Sequence, residues 1–294
     1  MMRIAHYLNY PLKDIDAEEL KWMGFDMVQV GPLQKTASPD DDWRWEMLYL
    51  PIGPVFGNRL ATHEEFVDFC NRCHAVGVKV AVDVVPAHVA GGLDGSLYPG
   101  PMTDPRLANK RDYWLDPIPG CNPDHDRWQC CNRCYGMPRV NYYNEDVVEM
   151  YKEYFELLLE NCDTLRIDMA KHFALPYEGG FKFWQMIKSL NRDIYGECIG
   201  LDTNKLNDYS QYIKCLTMNH DQHIDGEKMI MMFESHDSFG SDTMGRYTAH
   251  LNNDDRLQRY ENLVREFPNT LFFFRPFDDI NKEEIRNINL YGHR

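Results

Sequence analysis

Short apolar runs alternate with longer amphipathic segments along most of this chain. Eight of the runs are rich in Val, Ile, Met, Phe or Tyr and are typical of buried β-strands. They cover residues 4–10, 25–32, 79–88, 164–169, 194–199, 213–220, 229–235 and 270–276. Because helical patterns separate most of them, we expect parallel strands joined by crossover helices. Eight such units predict an α/β fold, the (β/α)8 or TIM barrel, for which 294 residues are sufficient.

The helical segments are indicated by the spacing of their apolar residues and by their end signals. Residues 62–77 begin with the capping-box pair Thr62 and Glu65 and end at Gly77. Their apolar face consists of Phe66, Phe69, Cys70 and Cys73. In residues 145–162 the corresponding face consists of Val147, Met150, Tyr154 and Leu158. Similar patterns predict helices at 16–24, 181–190, 254–267 and 282–290, whereas residues 200–228 predict no clear fifth or sixth helix.

Residues 89–139 lose this regularity and are rich in Gly, Pro, Asp and Cys. A connection of about 50 residues is far longer than the usual loop of a barrel, which favours an insertion with a function of its own. We therefore expect a small irregular Cys-rich domain at 89–139, inserted after strand 3. Residues 1–88 and 140–294 would form the barrel.

Four of the predicted strands end in a polar acid. These acids are Asp83, Asp168, Glu197 and Asp237. The carboxyl ends of barrel strands meet at one face, so the four acids are expected to surround a substrate there. Any one of them alone would more often be a structural ion-pair partner or a solvated acid at the rim. Their recurrence at successive strand ends favours a catalytic site.

Two of the acids suit different chemical tasks. Arg166 and Asp168 are two residues apart on one strand and share a face, so the guanidinium is expected to keep the carboxylate ionised, as a nucleophile requires. Glu197 has apolar sequence neighbours and no adjacent base, so we expect burial to raise its pKa and allow proton donation. Neighbouring strands about 4.8 Å apart could bring the two carboxyls to the separation of about 5–5.5 Å that retaining glycosidases use.

Composition excludes some classes of function. A net charge of −15 disfavours a nucleic-acid partner, and no apolar stretch is long enough to span a membrane. The amino terminus lacks the apolar core of a signal peptide, and nine cysteines cannot all pair within the chain. These features favour a cytoplasmic location over secretion. Aromatic residues in loop-like stretches could stack on the faces of sugars.

A cluster of cysteines lies in the predicted insertion. It consists of Cys121, Cys130, Cys131 and Cys134, with His125 among them. Two cysteines separated by two residues are typical of half a tetrahedral zinc site, and a small domain would gain stability from the metal. Disulfides in an oxidising compartment, or unpaired thiols, remain alternatives. Cys70 and Cys73 have similar spacing but lie on an apolar helix face, where core packing is expected.

The acid-bearing segments resemble, in order, the four sequence regions of the α-amylase superfamily, glycoside hydrolase family 13. The first region resembles residues 83–88, from Asp83 to His88, and the third contributes Glu197. The second is matched by Arg166, Asp168, Lys171 and His172, and the fourth by His236 and Asp237. The stretch that contains Trp45 and Tyr49 resembles an early aromatic segment of the family, and residues 137–141 resemble the short region that closes its inserted domain.

This resemblance implies a role for each matching residue. Asp168 would be the nucleophile, Glu197 the acid and base, and Asp237 the residue that stabilises the transition state. Substrate contacts are implied for Arg166, His88, His236, Tyr49, Trp45, Asp83, Lys171 and His172. Arg166 would also orient Asp168, and Tyr49 would stack under the sugar next to the cleaved bond.

The chain departs from the family pattern at three points. Ala87 replaces the asparagine that usually helps to bind a structural calcium, which disfavours calcium, and Ser235 replaces an Asn or Asp before His236. After the eighth strand, too few residues follow for the β-sandwich domain that usually succeeds this barrel. The chemistry itself requires no cofactor.

The resemblance implies a retaining glycoside hydrolase that cleaves α-glucosidic bonds, most simply α-1,4 bonds, in glucans or maltooligosaccharides. The same residues serve transglycosylases, and a non-catalytic glucan-binding relative is the alternative outside enzymes.

Overall fold

The fold is a closed barrel of eight parallel strands with helices around it, as the sequence predicts. It is seen in a computed structural model that describes residues 1–38, 40–91, 103–108, 110–115, 133–134, 137–221, 224–240 and 248–294. Each barrel strand pairs with its neighbour in chain order, and the last pairs with the first, from Met2 opposite Asn269 to His6 opposite Phe273.

All eight predicted strands are present, although they are shorter than the apolar runs. They are β1 (Met2–Tyr7), β2 (Met27–Val30), β3 (Lys79–Val84), β4 (Thr164–Ile167), β5 (Tyr195–Glu197), β6 (Lys214–Thr217), β7 (Met229–Met232) and β8 (Asn269–Phe273). At the end of β3 the Gln34 side chain exchanges two hydrogen bonds with the backbone of Val85, at 2.7 and 3.1 Å. Such side-chain contacts satisfy the backbone where strand pairing stops.

Helices cover the outside of the barrel. They are α1 (Ala17–Trp22), α2 (His63–Ala75), α3 (Glu145–Leu159), α4 (Phe181–Ser189), α5 (Thr203–Tyr209), α6 (Asn253–Glu266) and α7 (Lys282–Tyr291), with single turns at Pro105–Ala108 and His236–Gly240. The predicted capping box of Thr62 and Glu65 is present at α2. Sequence analysis missed α5, whose seven residues bury only Leu206 and Tyr209 and so give little periodic signal.

The packed core lies between the strands and the helices. On α3 the buried residues are Val147, Tyr151, Tyr154, Phe155, Leu158 and Leu159, whereas the predicted face member Met150 is only half-buried. At the carboxyl ends of the strands the interior is instead polar and charged, with Asp83, Arg166 and Glu197 all buried. A polar interior at this end marks the site.

Two further structures lie at that end. An antiparallel hairpin of Gln34–Thr36 and Pro51–Phe56, which sequence analysis did not predict, follows β2. The inserted segment returns through Met137–Pro138, which pairs with Arg133–Cys134. Its assignment as a separate domain stays a prediction, because much of 89–139 lies outside the described residues. Within the described parts of the chain, none of the helices has the length and apolar character needed to cross a membrane.

Candidate active site

The register of the central strands brings the predicted acids to one level. Asp83 on β3 lies opposite Arg166 on β4, and Ile167 lies opposite Gly196 on β5. The next residues after that last pair are Asp168 and Glu197. Parallel strands in this register project these side chains from adjacent strand ends into the same space.

One guanidinium joins three carboxylates at the centre of the site. Arg166 Nη1 donates to both oxygens of Asp83, at 2.9 and 3.0 Å, and to Asp168 Oδ1 at 2.8 Å. Its Nη2 donates to Glu197 Oε2 at 3.1 Å. These four side chains are at most 6% exposed as residues. Because both Nη atoms belong to one planar group, the bonded oxygens of Asp168 and Glu197 lie within about 8 Å of each other.

A second cation reaches Glu197 from the loop after β4. Lys171 Nζ lies 3.2 Å from Glu197 Oε1 and also donates to the Ile199 carbonyl at 2.9 Å. The loop makes this possible because Met169 adopts a left-handed backbone conformation, with φ 50° and ψ 33°, before the turn Ala170–His172. A non-glycine residue in this region costs on the order of 1–3 kcal/mol, a cost often found at functional sites. Met169 N also donates to Glu197 Oε2, at 3.3 Å.

The pKa shifts of the two central acids, Asp168 and Glu197, differ from the sequence prediction. Burial raises the pKa of Asp168 well above its usual value, and nearby Glu197 adds to this against the opposing effect of Arg166. Burial also acts to raise the pKa of Glu197, but the cations Lys171 and Arg166 outweigh it and hold that pKa below its usual range. The prediction that the pKa of Asp168 is lowered and that of Glu197 is raised is therefore wrong in both directions. Lys171 is 26 residues from Glu197 in sequence, so the contact could not be read from sequence neighbours.

Aromatic rings form one wall of the site. Tyr49 stacks on the His236 ring at a centroid distance of 5.0 Å, and Trp45 lies 4.6 Å from the same ring. Tyr49 also donates to Asp83 Oδ2 at 2.7 Å, which fixes the tyrosine against the carboxylate cluster. His88 Nε2 lies 2.9 Å from the Tyr49 carbonyl. These contacts connect the predicted aromatic segment to the ends of β3 and β7.

The side chains enclose a cavity of about 340 Å³, within the range of about 300–1,000 Å³ that is usual for ligand sites. The cavity is lined by Trp45, Glu46, Tyr49, Leu50, His88, Met137, Asp168, Met169, Lys171, His172, Glu197, His236 and Asp237. Asp237 is half-buried, with its Oδ1 3.5 Å from His236 Nε2. The Nδ1 atoms of His88 and His236 are buried and have no hydrogen-bond partner among the described residues.

The structure thus brings together the predicted acids Asp168, Glu197 and Asp237 and most of the predicted substrate-contact residues around one cavity. Asp83 and Arg166 lie behind the cavity wall rather than in it, and they act on the other acids through hydrogen bonds. Of the predicted metal site, Cys121, Cys130 and Cys131 lie outside the described residues, and for Cys134 only the backbone is described.

A second buried charge cluster, not predicted from the sequence, supports the strand end that carries His236. Glu234 is fully buried and accepts from Arg256 Nε at 2.9 Å and from Arg275 Nε at 2.7 Å. Thr248 Oγ1 donates to the same carboxylate at 2.9 Å. A signal exists in the sequence, because Arg256 falls on the apolar face of α6 and Arg275 directly follows an apolar run.

A TIM barrel with buried carboxylates gathered at the ends of β3, β4 and β5 has the architecture of a catalytic barrel of the glycosidase type. A family model described as the catalytic domain of alpha-amylase matches residues 17–269. The chain therefore belongs to the α-amylase family.

Curated relatives are similar to this chain over part of its length. An alpha-amylase-related protein of Drosophila auraria is 32% identical over 185 residues, covering 58% of this chain and 37% of that protein. The corresponding protein of Drosophila bipectinata is 31% identical over 186 residues, with the same coverage. The chain thus spans 37% of the length of these relatives.

Two solved structures illustrate the similarity of fold. The α-amylase of Geobacillus thermoleovorans, complexed with acarbose, has a TM-score of 0.75 at 15% identity and covers 99% of this chain and 78% of its own. A mutant of α-amylase I from Eisenia fetida, in complex with maltohexaose, has a TM-score of 0.72 at 16% identity, with coverage of 95% and 68%.

Proposed function

We propose that this protein is a retaining glycoside hydrolase that cleaves α-glucosidic bonds, most simply α-1,4 bonds, in glucans or maltooligosaccharides. The observation that carries the proposal is the pairing of Asp168 and Glu197 across one cavity, joined by Arg166. Their bonded oxygens lie within about 8 Å of each other, which allows the carboxyl separation of about 5–5.5 Å of retaining enzymes as well as the lower part of the range of inverting enzymes. The family membership of the chain supports the same chemistry.

In this mechanism Asp168 attacks the anomeric carbon while Glu197 protonates the departing oxygen, which forms a covalent glycosyl-enzyme. Glu197 then accepts a proton from water, and the water releases the sugar from Asp168 with net retention. Arg166 holds Asp168 by a hydrogen bond that leaves the other carboxylate oxygen, Oδ2, for the attack. Asp237, His88 and His236 line the cavity and bind hydroxyls of the sugar.

Asp168 and Glu197 both hydrogen bond to Arg166, so the charge of each affects the other, and the reactive form carries its proton on Glu197. In this structure burial and the neighbouring Glu197 raise the pKa of Asp168, whereas Lys171 and Arg166 lower the pKa of Glu197, which favours the proton on Asp168 instead. Each step of their titration involves both acids. The productive form, with the proton on Glu197, therefore holds the same number of protons as the form with the proton on Asp168, but it is the less populated of the two. A sugar that displaces Lys171 from Glu197 would favour the productive form.

Product analysis separates the proposed hydrolase from its alternatives. We expect maltooligosaccharides to yield shorter products, with the α-anomer appearing first in proton NMR spectra. Longer products would assign the site to a transglycosylase, and a β-anomer formed first would overturn the retaining mechanism. Binding of glucans without any release of reducing ends would identify a non-catalytic glucan-binding protein. Glu197→Gln is the inactive reference, and Glu149→Gln, at an exposed acid on α3, is its matched control.

The Lys171 contact predicts a shift in the pH dependence of the reaction. Lys171→Met removes the ammonium group next to Glu197, so the pKa at which the acid pair loses its last proton should rise. We expect the alkaline limb of the kcat/KM profile to move up by about one pH unit. Lys79→Met, at an exposed lysine at the start of β3, should leave the limb in place. An unchanged limb in the Lys171 variant would show that this lysine does not control the proton.

A further inference from the structure

A buried arginine lies where the inserted segment returns to the barrel. Arg139 is 2% exposed, and its Nη2 donates to the carbonyl oxygen of His172 at 2.5 Å. Its guanidinium also lies over the Phe173 ring, 5.5 Å from the centroid. Its backbone forms an antiparallel bridge with His88. Arg139 therefore connects three parts of the chain: the insertion, the end of β3 and the loop after β4.

The family resemblance implies a structural calcium close to residue 87. The junction at which the inserted segment returns to the barrel lies at the same place. Val140 N donates to the Ala87 carbonyl at 3.1 Å, and Val89 N donates to the Pro138 carbonyl at 3.2 Å. Calcium requires six to eight oxygen ligands, several of them from carboxylates. Ala87 offers a methyl group in place of a side-chain oxygen. Arg139 places a permanently charged guanidinium at this buried junction.

The described residues offer no substitute set of ligands. Among the chain segments that the structure describes, no three His, Cys, Asp or Glu side chains are grouped so that they could hold a metal ion. The carbonyl of His172 already accepts the hydrogen bond of the guanidinium. The described residues of this junction therefore do not fit calcium, and they do provide a cation of their own.

We propose that the Arg139 guanidinium is a built-in cation that joins the returning end of the insertion to the loop after β4, and that this junction is independent of calcium. A guanidinium carries a permanent charge and several donors in a fixed plane, which suits it to hold a backbone carbonyl in a buried place. The bond is formed within the chain and is present at any concentration of divalent ions.

Arg139 also acts on the site as a positioning residue. Lys171 and His172 line the cavity and belong to the turn whose last carbonyl Arg139 holds. Met137, two residues before Arg139, lines the same cavity. Loss of the guanidinium should therefore loosen the side of the cavity that carries Lys171, while the Asp168–Arg166 contact on β4 stays in place.

The first arm of the test measures thermal unfolding of the full chain by circular dichroism. An excess of EDTA, of calcium or of magnesium should each shift the midpoint of the wild-type protein by less than about 2 °C. A clear fall with EDTA, or a rise with calcium that magnesium does not cause, would overturn the claim of calcium independence. This arm does not use the enzymatic activity, so its result is separate from the fate of the proposed function.

The second arm uses substitutions. Arg139→Met should lower the midpoint by about 3–6 °C, because it removes the guanidinium hydrogen bond to the carbonyl of the half-buried His172. Added calcium should not restore the unfolding midpoint of this variant. Arg139→Lys, which keeps the charge, should recover part of the loss. Arg192→Met, at an exposed arginine before β5, should have no effect. A midpoint unchanged in Arg139→Met, or one restored by calcium, would contradict the proposal.

Substrate binding provides the readout that a purely structural role would not move. Well below its unfolding temperature, Arg139→Met should raise KM for a maltooligosaccharide by about tenfold and change kcat much less, with partial rescue in Arg139→Lys. A tenfold loss of kcat with no change in KM would contradict the positioning role. If Arg139→Met does not fold, the lysine variant and the chelator arm still decide between the outcomes.

Discussion

Replacing Asp168 with asparagine is expected to lower kcat on maltooligosaccharides by about 10⁴-fold or more, as loss of a nucleophile usually does. The change is nearly isosteric: an amide NH2 group replaces one carboxylate oxygen, and the negative charge that the attack needs is lost. The fold should persist, because burial and the neighbouring Glu197 disfavour a charge at this position. We therefore expect a midpoint of thermal unfolding no lower than that of the wild type.

The matched control is Asp279→Asn, an equally conservative change at an exposed acid after β8. It should leave kcat unchanged. The Asp168 variant should still bind maltooligosaccharides, measured by calorimetry, because the aromatic wall and both histidines remain. Activity within about tenfold of the wild type would remove Asp168 from the role of nucleophile.

Replacing Arg166 with methionine is expected to have the largest effect on stability. Arg166 is the one side chain that donates to all three buried carboxylates of the described site, and its removal leaves them facing one another. Loss of one partner from a buried ion pair costs about 3–5 kcal/mol. We expect the free energy of unfolding, measured with urea at neutral pH, to fall by about this amount, and activity to be lost with it.

The loss should depend on pH in a definite direction. Burial already raises the folded-state pKa of Asp83 and Asp168, and Arg166 opposes that rise, so its removal raises both values further. A carboxyl with a raised folded-state pKa binds protons more tightly when folded, and protonation then stabilises the fold. The deficit relative to wild type should therefore shrink as pH falls from neutral towards about 4, the usual pKa of such acids in unfolded chains.

Urea unfolding of both proteins at several pH values between neutral and mildly acidic would measure this. Arg192→Met, which removes an exposed cation, should show little deficit at any pH. A deficit that grows on acidification would contradict the assignment of Arg166 as the counter-charge of the cluster.

The amino-acid pattern was sufficient to determine the fold. Buried strands need continuous apolar runs, crossover helices need one apolar face, and both signals are local, so eight strands and most helices were predictable. The capping box at Thr62 is equally local and is present. The short helix α5 was missed because seven residues bury only two side chains.

The acids at the strand ends were also predictable, because a strand end is marked in sequence and parallel strands place their ends at one face. Asp168 and Glu197 share the cavity as expected. The lowered pKa of Glu197 was not predictable. It depends on Lys171, which a left-handed residue and a tight turn fold back against Glu197.

The sequence by itself therefore determined that this chain is a barrel with acids at its strand ends, since periodicity and strand ends are properties of neighbouring residues. Only the tertiary structure decided which charges meet. Arg166 joins acids from three strands, and Arg139 reaches the His172 carbonyl from the inserted segment. Electrostatic energy depends on distance in space, and the folded chain sets that distance between residues far apart in sequence.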